Sequence, residues 1–326
     1  MFKKIGAFFI AIFQSVFWFI GGIWDTKPEP APYDIPNITA AAQSQKEAEA
    51  AGGGWYIVLD DEFDGDTLNE AVWMKSPHGR RNTEYWCNNM VELREGLCVV
   101  SAAVLEDNVC DICPAKGDFT SGIETRGKLE QAFGYFEARV KFPTAPGMWT
   151  AMWMQSSTMG RLGNGGKDGS EIDIYESAFY QSPTNTGMCI HWDSYEYPWY
   201  SSKGTVVDTG VQLYDEWHVW AMLWTPDSYT FFLDGKEIWR TGAGGVSQVP
   251  QFLRLTNEIR RQEWGPYGQP LGVFNATKEN PHELLIDYVR IYQHTDFLGS
   301  IQSAEDFKQP WLARQEWLPS FTKLFN

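Results

Sequence analysis

"GSEIDIYES", residues 169–177, puts three carboxylates, Glu171, Asp173 and Glu176, into six positions of a stretch that otherwise reads as a strand. Acidic residues are depleted from strands, and like charges on one face repel. The arrangement therefore needs a reason. Residues two apart in a strand share a face, so Glu171 and Asp173 project together while Ile172 and Ile174 turn to the core. Glu176, five positions from Glu171, has the wrong parity. A one-residue β-bulge between Asp173 and Glu176 restores it to the same face. The spacing E-x-D-x-x-E predicts a bulged strand if all three acids converge.

The surrounding chain has the same strand rhythm. "WYIVLDDEF", "LCVVSAAVL", "GYFEARVKF", "EWHVWAMLWTP", "SYTFFLDG" and "HELLIDYVRIYQ" are rich in β-branched and aromatic residues, with Gly, Pro, Asn or Asp between them. "LDGKEIWRT" predicts a hairpin turning at Asp234-Gly235. Many short strands between residues 55 and 293, without a helix-period segment or a repeat, predict an all-β sandwich of jelly-roll type. Before it, residues 25–54 are Pro-rich, then Ala-rich, then Gly-rich, and read as a tether with room for a short helix. Residues 1–24 read as a signal anchor or a signal peptide: Lys3 and Lys4 precede an uncharged apolar run from Ile5 to Trp24. A run of that length spans a bilayer core of about 30 Å, and the positive flank predicts the rest of the chain outside. An uncleaved anchor is the expectation, because no small-x-small cleavage site follows the run. The aromatic tail, residues 294–326, is expected to pack on the body or to lie near the membrane.

Composition narrows the partners. With 26 basic and 42 acidic residues the formal charge is -16, which opposes nucleic acid and anionic lipid surfaces. The 16 Trp, 14 Tyr and 20 Phe exceed what a core alone needs, and flat rings suit the apolar faces of sugars. Of the five cysteines, Cys110 and Cys113 form a C-x-x-C. No second pair or His cluster at zinc spacing follows it, so a loop disulfide or inert thiols are expected.

Two carboxyls flanking a sugar bond are the recurring apparatus of glycoside hydrolysis, one ionised to attack and one protonated to donate. A third between them can orient the nucleophile and separate the two pKa values. The competing readings are a solvated acidic strand face and a calcium site, although calcium sites draw on Asp and Asn in Gly-bearing loops.

The motif "GSEIDIYES" resembles the signature of the family 16 glycoside hydrolases, in the bulged branch of laminarinases, agarases and carrageenases. "VLDDEFDGDTLNEAVW", "SGIETRGKLEQAFGYFEARVKFP", "GMWTAMWMQ", "WHVWAMLWTPDSYTFFLDGKEIWRT" and "LLIDYVRIYQ" resemble further family segments in the right order, over residues 55–293. The resemblance implies a concanavalin A-like jelly roll of two curved antiparallel sheets, with the cleft on the concave face. It implies Glu171 as nucleophile, Asp173 as assisting acid and Glu176 as acid/base. It places Trp149, Trp153, His191, Asn82, Glu84, Trp86 (or its neighbour Tyr85) and Trp264 at the substrate. It further implies no cofactor in catalysis, with a structural calcium to which Glu62 and Asp287 contribute. Thr150 departs from the family's W-P-A-x-W pattern, and the Cys-bearing loop around 107–118 is foreign to it.

The expected protein is an exported, monomeric, endo-acting retaining hydrolase of β-1,3- or mixed-linkage β-glucan. The arginine pairs Arg80-Arg81 and Arg260-Arg261 keep a sulfated or pyruvylated galactan as the alternative. A transglycosylase would use the same acids, and a non-catalytic sugar-binding module would have no need to keep all three.

Overall fold

The computed structural model describes residues 28–81, 83–108, 110, 112–143, 147–159, 165–176, 183–196, 198–260 and 274–303. Two sheets form the sandwich. The larger runs β16 (Lys236–Thr241), β15 (Tyr229–Leu233), β14 (Trp217–Trp224), β9 (Gly134–Lys141), β18 (His282–His294), β6 (Leu97–Leu105), β7 (Gly117–Thr120), β4 (Glu84–Trp86) and β3 (Gly79–Arg81). On it, β1 (Trp55–Asp61) also pairs with β18, and β5 (Val91–Arg94) with β6. The seven-stranded sheet runs β13 (Ser201–Asp208), β12 (Asn185–Trp192), β11 (Glu171–Glu176), β10 (Met148–Gln155), β17 (Phe252–Ile259), β8 (Gly122–Glu124) and β2 (Met74–Lys75). Pairing is antiparallel between named strands except for β4 with β7, which is parallel. The expected jelly-roll sandwich is thus found. Asp234 and Gly235, at φ 50° and 76°, turn the β15–β16 hairpin with two left-handed residues, as a type I′ turn requires.

The inner faces make one core. Met152 and Met154 of β10, Ile172 and Ile174 of β11, Met188 and Ile190 of β12 and Leu253 and Leu255 of β17 meet Phe136, Ala138, Trp220, Met222, Ile286 and Val289 of the larger sheet. Period-two alternation sends the intervening side chains of the smaller sheet to its outer face, where the site lies.

Residues 28–54 contain the short helix for which the tether reading left room, and they also contact the body. The α-helix α1 (Gln45–Ala50) is N-capped by Ser44. Ala42 bridges to the β1 backbone through Ala42 N–H to Trp55 O and Ile57 N–H to Ala42 O, both 2.9 Å. Tyr33 packs its ring against Trp55, His294 and Phe297. The apolar and aromatic residues within a Pro-rich composition hold this segment to the body. The start of the tail packs likewise, with Phe297 buried in the core. Among the described residues no helix is long and apolar enough to cross a membrane. The anchor expected at 5–24, and the tail beyond 303, lie outside the described residues.

Candidate active site

The bulge required by the motif is present. Asp173 pairs with Cys189 and Glu176 with Gly187, so three steps along β11 match two along β12. On the other side, Trp153 pairs with Asp173 and Met152 with Tyr175. The residue that drives it is Tyr175. Instead of pointing outward it is fully buried, stacked on Phe142 at 3.9 Å between centroids and 5° between planes, and 4.4 Å from Trp220. Burying that ring on the core side returns Glu176 to the outer face. The strand also needs its leading glycine: at φ 135°, a Cβ on Gly169 would sit 2.5 Å from Thr158 Oγ1 and from Ser156 Cβ.

Each carboxylate then has its own partners. Glu171 accepts from the Tyr195 hydroxyl and, at 3.2 Å, from Gln155 Nε2; Gln155 Nε2 also reaches Tyr195 Oη at 2.7 Å. Glu176 accepts from Trp149 Nε1 at 2.9 Å. His191 Nε2 lies 3.0 Å from Asp173 Oδ2 and 3.9 Å from Glu171 Oε1, while Nδ1 meets Tyr200 Oη at 2.6 Å.

The electrostatics separate the two glutamates. Burial, then the charge of Asp173, pushes Glu171 up to about 7. The same two causes in the same order push Glu176 up to about 8. Burial opposes charging of His191, but the Cys189 sulfur and the Asp173 carboxylate outweigh it and hold the ring well above its ordinary value. Glu171 therefore gives up its proton before Glu176 does, and His191 favours the imidazolium. One carboxylate is ready to attack and one to donate.

Trp149 and Trp153 share the face of β10, but they are only 7% and 5% exposed. Guanidinium groups cover their rings: Arg260 over Trp149 at 4.5 Å, and Arg254 over Trp153 at 4.0 Å. Trp153 Nε1 donates to Thr256 Oγ1 at 3.1 Å. Trp86 is buried, with Arg81 and Arg254 each 5.3 Å from its ring. These tryptophans are cation-capped walls rather than open platforms. A cleft of about 550 Å³ is lined by Arg80, Arg81, Arg126, Arg254, Trp86, Trp153, Gln155, Glu171 and Tyr195, with Pro77, His78 and Gly79 at one edge. Arg81 chelates Glu258 at 3.0 and 3.2 Å. Arg254 lies 2.8 Å and Arg126 3.3 Å from the carboxylate of Glu124.

Other expected residues fall elsewhere. Glu84 is 0% exposed, and burial, then the charge of Glu258, raises it to about 8. Asn82, Trp264 and Arg261 lie outside the described residues. Glu62 pairs with Arg290, and Asp287 with Arg139. Each of these carboxylates is already neutralised by an arginine, and among the described residues neither belongs to a group of three or more side chains that could share an ion. All five cysteines are unbridged, which leaves free thiols rather than a loop disulfide of the two expectations.

Sequence reasoning missed Gln155, Tyr195, Tyr200, Arg126 and Arg254. Gln155 had a signal, since it stands two residues past Trp153 on the same strand face. The tyrosines come from the aperiodic "DSYEYPWY" loop, and the arginines acquire meaning from neighbouring strands.

The model of the GH16 domain of beta-porphyranases A–D matches residues 57–294. A beta-glucanase of Rhodothermus marinus is 26% identical over 261 residues, covering 73% of this chain and 85% of that protein. A keratan-sulfate endo-1,4-beta-galactosidase of Sphingobacterium multivorum is 24% identical, covering 79% of this chain and 61% of that one. The crystal structure of porphyranase B from Zobellia galactanivorans superposes with a TM-score of 0.59 at 19% identity, over 82% of this chain and 99% of that one. A matching family model over most of the chain, the sandwich and the bulged carboxylate strand converge: the chain belongs to glycoside hydrolase family 16, in the group described by the porphyranase A–D domain, and is an endo-acting hydrolase of polysaccharide.

Proposed function

We propose that the substrate is an anionic galactan of the porphyran class, cleaved with retention. The observation that carries this reading is the cluster of Arg80, Arg81, Arg126 and Arg254 in the cleft with Glu171. Three of these guanidiniums meet only two buried carboxylates, Glu258 and Glu124, so the cluster keeps an excess of positive charge beside the catalytic acid in a chain whose formal charge is -16. Arginine is also the side chain suited to planar, bidentate recognition of oxyanions. The family model's name agrees with it. A neutral β-glucan is the second reading, favoured by the relative named a beta-glucanase; it would stack on tryptophan faces, and here guanidiniums occupy those faces.

Hydrolysis proceeds by double displacement. The Glu171 carboxylate attacks the anomeric carbon as the glycosidic C–O bond breaks, and the Glu176 proton passes to the leaving oxygen. Glu176, now ionised, takes a proton from water; the resulting hydroxyl attacks the same carbon and releases Glu171. Asp173 and His191 hold the charge of the pair, and Tyr195 and Gln155 orient the nucleophile. The protein acts as a monomer. The apolar run 5–24 carries the catalytic body out of the cytoplasm as a signal anchor, where a polymer too large to enter the cell is found.

The test is product analysis. The purified chain is incubated with porphyran, agarose, laminarin and lichenan, with Glu171→Ala in parallel. Oligosaccharides from porphyran that are absent with the variant support the proposal. Products from laminarin or lichenan alone move the substrate to β-glucan and leave the catalytic assignment standing.

A further inference from the structure

Four side chains outside the carboxylate site converge from three segments. His78 lies just before β3, Cys87 just after β4, and Cys110 and Cys113 in the loop between β6 and β7. His78 Nδ1 is 3.3 Å from Cys113 Sγ and 3.6 Å from Cys110 Sγ. Cys113 Sγ is 3.1 Å from Cys87 Sγ. One ligand atom from each of the four lies within 4.8 Å of every other. We propose that His78, Cys87, Cys110 and Cys113 bind one structural zinc ion through three thiolates and one imidazole.

The donor set and its spacing argue for this ion. Tetrahedral Cys3His sites are closed structural zinc sites, and a Zn–S length of about 2.3 Å puts ligand sulfurs about 3.7 Å apart. The observed separations of 3.1, 3.3 and 3.6 Å fall just short of that scale, so the ligand atoms need part only slightly to admit the ion. Soft thiolates with one imidazole select zinc over hard cations such as calcium. The C-x-x-C supplies two ligands from one turn, a familiar half-site; the other half lies upstream, as His78 and Cys87, nine residues apart.

A second observation is the support given to a sulfur. Buried Asn108 directs Nδ2 at Cys87 Sγ from 3.8 Å, and its Oδ1 is held by Asn89 Nδ2 at 2.8 Å. Amide donors to ligand sulfurs are the usual outer shell of a metal–thiolate site. The position also gives the ion a task. His78 edges the substrate cleft, and Cys113 Sγ lies 3.8 Å from the carbonyl of Trp86, whose ring forms a cleft wall under Arg81 and Arg254. The ion would pin the 107–118 loop to the β3–β4 hairpin that presents Arg80, Arg81 and Trp86. The contacts it fixes span 26 and 35 residues of chain, so it would also restrict the unfolded state. The site does not depend on which polysaccharide is cleaved.

The test uses the full chain purified without chelator or added metal. Elemental analysis should find about one zinc per chain, released when the thiols are titrated with an organomercurial. Cys113→Ser and His78→Ala should lose it, while Cys98→Ala, at a core thiol far from the cluster in the sheet, should keep it. Replacement by cobalt gives a readout that survives if a variant fails to fold: the wild-type chain should show thiolate-to-cobalt charge transfer and the intense visible bands of a tetrahedral site. Absence of zinc and of the cobalt spectrum would overturn the proposal. So would an intact mass short by two hydrogens that recovers on reduction, which would identify a disulfide among Cys87, Cys110 and Cys113.

Discussion

Replacing Tyr195 by Phe removes the hydroxyl that donates to Glu171 and leaves the ring in place. That bond favours the ionised nucleophile, so its loss raises the Glu171 pKa. A hydrogen bond to a charged group contributes about 1.5–3 kcal/mol. The low end applies here, because Tyr195 is 53% exposed and water can replace part of the donor, while Gln155 Nε2 still reaches the carboxylate. About 1.5 kcal/mol corresponds to about one pKa unit. In the wild type, activity needs Glu171 ionised and Glu176 protonated, so kcat/KM falls below about 7 and above about 8. At a pH of about 7.5, about three fifths of the molecules hold that state; moving Glu171 up one unit leaves about one fifth. The assay is kcat/KM against pH for both proteins on the cleaved polysaccharide. The acid limb should move up by about one unit, with roughly a threefold loss at pH about 7.5 and an unmoved alkaline limb. A uniform loss at every pH would refute the reasoning, since it would mean that Tyr195 shapes the cleft without tuning the nucleophile.

Trp149→Phe removes the indole donor to Glu176; the acid should become harder to ionise and the alkaline limb should rise by somewhat less than one unit, measured in the same profile. Glu176→Gln cannot donate a proton and should lower kcat by about 10²–10⁴-fold, with substrate binding retained in a calorimetric titration. Glu84 is raised from 4.5 to about 8, so its folded form holds a proton that the unfolded chain releases between those values. Wild-type stability is therefore lost as pH rises through that window, by at most about 3 kcal/mol at neutral pH. Urea unfolding of Glu84→Gln should match wild type near pH 4 and exceed it near pH 7, whereas equal differences at both would remove the proton from the account. Arg81→Met breaks the chelate to Glu258 and should raise KM on an anionic polysaccharide more than it lowers kcat, with a weaker salt dependence of KM than in wild type.

The sandwich was legible because its strands alternate in two-residue steps and its hairpins carry the turn residues their φ angles demand. Parity also gave the bulge, since a strand with carboxylates at 171, 173 and 176 can present all three together only by adding a residue. What parity could not give was the cause, the burial of Tyr175 against Phe142, because that ring contact joins residues far apart in the chain. Trp149 and Trp153 were legible as one face, but the arginines that cap them come from β17 and its end, and their covering function is a cross-strand property. The zinc ligands were half legible. The C-x-x-C is plain, yet no partners at zinc spacing follow it in the chain; the completing ligands precede it, by way of a parallel β4–β7 pair that no local pattern announces. Residues 28–54 were legible in part for a different reason: Pro and Gly content reports backbone preference, while Tyr33 and Trp55 decide whether such a segment leaves the surface.

The like charge packed into one strand lies in the first of two layers in which acids face bases. In the first, three carboxylates face one imidazolium and share one proton, leaving a net charge near -1 at the scissile bond. That residue of charge suits an oxocarbenium-like transition state, in which positive charge develops on the sugar. In the second layer, a step away along the same sheet face, the guanidiniums of Arg81, Arg126 and Arg254 pair with Glu258 and Glu124, which are nearly or fully buried. Burial lowers Arg254 to about 10 without discharging it at neutral pH. Buried acids thus fix each guanidinium in place, so that little ordering remains to be done when an oxyanion arrives. A substrate sulfate would be held by an arranged fork, and a neutral sugar would gain nothing from it. Arg81 lowers Glu171 only in part: burial and Asp173 push the nucleophile up, and His191, the hydroxyl of Tyr195 and Arg81 together hold it down without cancelling that rise.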